Sequence, residues 1–190
     1  MPLTRRSVLA RLPVRPEDLV PGRINRAPSP WVAEGLPWIA VMFASLAAFS
    51  PVVASAPVVP PLAFMVFLAW RMLRPSLLPV WAGLPLGAFD DLFSGQPLGS
   101  AIVLWSAAML AMDAIDNRFL WRSFQQDWIA AGLLLTTYLV LGAVLAGIAA
   151  GYPLPLVIGP QLLVTLALYP LVTLLVALLD RVRLLPLRKI

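Results

Sequence analysis

Six apolar runs, separated by short polar or proline-rich stretches, organise the chain from Trp38 onward. They predict helices over 38–53, 62–73, 77–93, 98–114, 128–150 and 156–179, of a length and continuity that suits a bilayer core about 30 Å thick. Pro51, Pro57, Pro60 and Pro61 forbid one helix through the first two runs and impose a turn between them. The second run is short for a bilayer. The third carries Pro79, Gly83, Pro85 and Gly87 and is expected to be kinked or broken. Backbone groups freed in this way are tolerated at membrane depth only where protein or water satisfies them, so the third segment is expected to pack against its neighbours and away from lipid. The fourth opens behind Pro97, a residue suited to the start of a helix.

The basic residues sharpen this picture into a topology. All 14 fall before the first run, at or just past the end of the second, or after the fourth or the sixth, and the three intervening turns carry none. Bases flanking spans are retained on the cytoplasmic side, so both termini are expected inside and the turns near Ala54, Gly95 and Tyr152 outside. The chain is then an all-α integral membrane protein of six transmembrane helices. Its organisation is an Arg- and Pro-rich cytoplasmic arm over 1–36, a membrane domain over 37–181 and a short basic tail over 182–190. Trp31, Trp38, Trp70, Trp121 and Trp128 fall near inner helix ends, the position of an interfacial aromatic belt. Arg5 and Arg6 faintly suggest an export signal, but Arg11, Pro13 and Arg15 interrupt the apolar stretch that such a signal needs.

Composition agrees with lipid as the solvent. Hydrophobic residues make up 61% of the chain and charged residues 12%, against about 25% charged in soluble domains; mean hydropathy is +0.88. The net charge of +5 sits at span ends, where anionic lipid accounts for it, so no nucleic-acid partner is expected. Histidine and cysteine are both absent. That removes His-dependent triads, Cys nucleophiles and Cys/His metal sites, and neither a catalytic residue, a metal nor a cofactor is expected.

Residues 87–99, Gly-Ala-Phe-Asp-Asp-Leu-Phe-Ser-Gly-Gln-Pro-Leu-Gly, are the most patterned stretch. Asp91 follows Gly87 by four residues, which on a helix sets the carboxylate beside a position where another backbone can approach. Gly95 and Gly99 permit a tight turn. Spacing leaves two roles open for Asp91: meeting outer water, or facing the bundle to hold a backbone amide, a partner's Arg or a ligand. Ala40, Ala44 and Ala48 form a small-residue stripe on the first helix that suits close helix packing, and Ala143, Gly147 and Gly151 form a second. Asp113 and Asp116 end the fourth run, where acids oppose the helix dipole, and are expected to pair with Arg71 or Arg74. An Asp-x-x-Asp holding Mg²⁺ against a lipid phosphate is the enzymatic alternative, and it lacks a second acidic cluster.

The pattern Gly87-x-x-x-Asp91-Leu-Phe-Ser94-Gly95-x-Pro97-Leu-Gly99, leading into an apolar helix in a chain of this length, resembles the rod shape-determining protein MreD family. The resemblance implies an inner-membrane scaffold of the bacterial elongation machinery, without an enzymatic step. Its partner would be MreC, and through it the MreB filaments, the elongation transpeptidase and the RodA-type glycosyltransferase. Contact of the basic arm with anionic lipids and a homodimer both fit this role. The membrane core of that family is similar to substrate-binding subunits of energy-coupling-factor vitamin transporters, which supplies the alternative: a small-molecule-binding transport subunit, recognisable by polar and aromatic side chains lining an outer cavity. On the scaffold reading Gly87, Asp91, Ser94, Gly95, Pro97 and Gly99 form a partner-binding or structural motif, and charge reversal at Asp91 weakens assembly while leaving the bundle folded.

Overall fold

The computed structural model describes residues 26–27, 30–47, 59–118, 124–150, 158–183 and 188–189, and the side chains of 34–47, 59–118, 125–148 and 158–183. Among these residues the fold is all-α. Six helices follow in order: α1 (Pro30–Leu46), α2 (Leu62–Leu73), α3 (Gly83–Phe93), α4 (Ser100–Arg118), α5 (Phe124–Ala150) and α6 (Ile158–Arg183). A two-residue antiparallel pairing joins β1 (Arg26–Ala27) to β2 (Arg188–Lys189). The helix α1 starts at Pro30, inside the stretch expected as arm, because proline is pre-organised for the first helical turn.

The helix α2 is the centre of the bundle. It runs between Pro61 and Arg74, with Pro75 beyond it preventing extension. Ala63 through Arg71 are all buried, so this helix is covered on every side, which is how a sequence apolar all round is accommodated. Around it pack α1, α6 and α5, while α3 lies against α4 and α1. The core is aromatic: Phe64 stacks on Tyr138 at 4.1 Å between ring centroids, and Phe67 on Trp105 at 4.7 Å. Trp70 is completely buried in this core. It is therefore not a belt residue, contrary to expectation, since its place on the central helix leaves no face toward the surroundings. Trp128 is 38% exposed; the side chains of Trp31 and Trp121 lie outside the described residues.

The third segment breaks as its prolines require. Pro79 leads into a single 3₁₀ turn, Val80–Ala82, and only Gly83–Phe93 is α-helical. Pro85 is tolerated because it stands in the first turn, where its missing N–H has no partner to lose. One face of α3 is buried through Leu86, Gly87, Asp90 and Asp91, but the other is open, with Leu84 52% and Leu92 69% exposed. Full burial of this segment is thus corrected: an 11-residue helix packed on two neighbours still has an outward side.

Among the described residues two helices are long and apolar enough to cross a membrane, Gln125–Ile148 and Ile158–Arg183. Their apolar windows are only 33% and 17% buried, so most of that apolar surface faces away from the bundle's own core. The helices α2 and α3, at 12 and 11 residues, fall short of the roughly 20 residues needed to span alone.

Candidate functional site

The 87–99 segment folds into one connected unit. A Cβ at Gly87 would lie 2.8 Å from the Ala101 carbonyl oxygen, and one at Gly83 would lie 2.9 Å from the backbone of Trp105 and Ser106. Both glycines are therefore the points at which α3 touches the backbone of α4. Gly95 and Gly99 adopt φ of +67° and +94°, a region that other residues rarely occupy, and the chain reverses there. Ser94 accepts a long hydrogen bond from the Gln96 amide at 3.4 Å, and the Pro97 carbonyl accepts one from the Ser100 amide at 3.0 Å.

Asp91 caps α4 from the preceding helix. Its carboxylate accepts the backbone N–H groups of Gly99 (2.9 Å), Ala101 (2.9 Å) and Ile102 (3.2 Å), and the Ser100 hydroxyl donates to it at 3.3 Å. The first amides of any helix lack internal partners, and the residue before it normally supplies an oxygen. Here that residue is Gly99, required for its positive φ and without a side chain. Asp91 supplies the oxygens instead, with a negative charge at the positive end of the helix dipole. Of the roles left open by spacing, Asp91 faces the bundle and holds backbone amides. The expectation that Asp91→Lys leaves the bundle folded is corrected accordingly, because an ammonium there would face three N–H donors.

Asp90, its neighbour, points elsewhere, since successive helical side chains diverge by about 100°. It is 6% exposed and lines a cavity of about 320 Å³. The cavity lies at the end of the bundle where α1 and α3 finish and α2 and α6 begin. Its polar lining includes Ser45, Ser94, Gln96, Tyr138 and Gln161, with Phe64 and Pro60–Ala63 supplying apolar wall. Ser45 lies beside the Asp90 carboxylate, and the Tyr138 hydroxyl lies near Gln96, Trp105 and Asp90. Ala44 also lines the cavity, and Ala40 and Ala44 pack on the chain's own core. Ala48 and Gly151 lie outside the described residues.

The opposite end of the bundle is closed by ion pairs. Arg71, with its side chain 5% exposed, reaches Asp116 at 2.9 Å and Asp113 at 4.0 Å. Asp180 receives Arg74 through Nε (3.1 Å) and a terminal nitrogen (3.0 Å), and Arg183 through Nε (2.9 Å). The expected pairing of Asp113 and Asp116 with Arg71 thus forms, and Arg74 is directed to α6. Carboxylates held by guanidinium groups are poorly placed to collect Mg²⁺.

Sequence reasoning passed over Ser45, Tyr138 and Gln161. Each sits singly in an apolar helix, and nothing local in the sequence shows that three separate helices bring them to one cavity. In comparisons with known proteins, no family model, no curated protein and no solved structure matches this chain.

Proposed function

We propose that this chain is a multi-pass inner-membrane scaffold of the bacterial cell-elongation machinery. It crosses six times with both termini in the cytoplasm and assembles with MreC, and through it with MreB and the wall-building synthases. The observation carrying this reading is the construction of residues 87–99. Four of the six motif residues that resemble the MreD family have a role in one connected turn: Gly87 in helix contact, Asp91 in capping, Gly95 and Gly99 in positive-φ reversal. The apolar exterior supports the membrane setting, with Ile129, Leu133, Leu163 and Leu171 each more than 60% exposed on the two longest helices.

A second reading is favoured by the cavity. A small-molecule-binding transport subunit was to be recognised by polar and aromatic side chains around an outer cavity, and Ser45, Asp90, Gln96, Tyr138, Gln161 and Phe64 surround one. Pulldown from native membranes in mild detergent, with mass spectrometry of what co-purifies, separates the two. Recovery of MreC with the synthases supports the scaffold; recovery of an ATPase pair with a transmembrane coupling subunit overturns it in favour of transport.

A further inference from the structure

Asp90 and Asp91 are adjacent carboxylates with opposite circumstances. Asp91 is surrounded by donors from α4. Asp90 has the Ser45 hydroxyl beside it and opens to the cavity. Among the described residues no Arg or Lys lines that cavity. Residues 47–58 and 151–157, which adjoin its lining in the chain, contain no charged residue, and the turn between α3 and α4 contains no base. Every described Arg between α2 and α6 stands at the opposite helix ends. A carboxylate this enclosed is costly without a counter-charge, and the described residues offer none at this end.

The remaining polar groups include acceptors for an incoming donor. Gln161 donates one of its two amide N–H groups to the Val59 carbonyl at 2.8 Å, and its side-chain oxygen can accept. Ser45 has a buried hydroxyl whose oxygen is an acceptor. Beside them the stacked pair Phe64 and Tyr138 presents aromatic surface, which attracts cations and packs apolar bodies. At about 320 Å³ the space is far larger than the roughly 30 Å³ share of one water, and it lies at the lower end of the roughly 300–1,000 Å³ range of small-molecule sites. A bare metal ion would leave most of it unfilled.

We propose that this cavity is a binding site for a small organic cation carrying a protonated amine, with Asp90 as the counter-charge, Ser45 and Gln161 as acceptors and the Phe64–Tyr138 pair holding its apolar part. The assignment deepens the second reading above and is compatible with the first, since it rests on the cavity alone. Partner recovery in the pulldown is read separately, so failure of either result leaves the other interpretable.

The test is titration calorimetry on the full chain in detergent with three probes of matched shape: phenethylamine, 2-phenylethanol and 3-phenylpropionate. Saturable binding of the amine alone is expected. Asp90→Asn, which keeps the shape and removes the charge, is expected to weaken it at least about tenfold, the loss typical of a hydrogen bond to a charged group. Gln161→Ala is expected to weaken it less. Thermal unfolding of each variant shows that it is folded. Equal binding of all three probes, amine binding unchanged in folded Asp90→Asn, or no saturable amine binding to the folded wild-type chain would overturn the assignment.

Discussion

The two ends of this bundle treat their carboxylates differently. At the end where α2, α4 and α6 finish, Asp113, Asp116 and Asp180 meet Arg71, Arg74 and Arg183, and three helices are tied together by charge. At the other end no base lies among the described residues, and the acids there meet backbone amides or face a cavity. Asp91 takes the first course and Asp90 the second. A buried acid is informative according to what surrounds it: Asp91, met by three backbone amides, is part of the architecture, whereas Asp90 opens to a cavity with no described base beside it.

The largest effect is expected from breaking the frame that sets the two aspartates apart. Gly87→Leu would push a side chain into the α4 backbone, which cannot move aside as a flexible side chain can. A loss of more than about 3 kcal/mol is expected, seen as a collapsed melting temperature or absence of folded protein in detergent.

Asp91→Ala should follow, removing the cap of α4 and stranding three amides, with a loss of about 2–3 kcal/mol. Hydrogen exchange at Gly99, Ala101 and Ile102 should rise together; unchanged protection there would mean that the cap does not hold the helix. Arg71→Met tests the other end. Because Asp116 and Asp113 are 23% and 46% exposed, water offsets part of the lost pairing, and about 2 kcal/mol is expected in chemical denaturation.

Asp90→Asn sharpens the comparison most while changing stability least. Removing a buried charge without a counter-ion should leave stability within about 1 kcal/mol of wild type in either direction. A melting temperature as low as that of Asp91→Ala would place both aspartates in the architecture.

Much of the fold was legible in the chain. The helical runs follow from apolar stretches bounded by proline, and the limits of α2 coincide with the expected 62–73 because Pro61 and Pro75 bracket it. The pairing of Arg71 with the acids of α4 followed from charge and helix ends. The third segment was legible as broken, but its open face was not, since periodicity does not say how many neighbours a helix has. Trp70 shows the same limit: its position near a helix end read as interfacial, and the central place of α2 buries it.

By itself the sequence determined where helices form, the place of the described bases at the ends of α2, α4 and α6, and the existence of a turn that needs Gly95 and Gly99, because these depend on local sterics and on solvation along the chain. Only the tertiary structure decided which of two adjacent aspartates caps a helix and which faces a cavity. One residue of offset rotates a side chain by about 100°, and what it then meets is set by α1, α4, α5 and α6, whose residues are distant in the chain and adjacent only in the folded bundle.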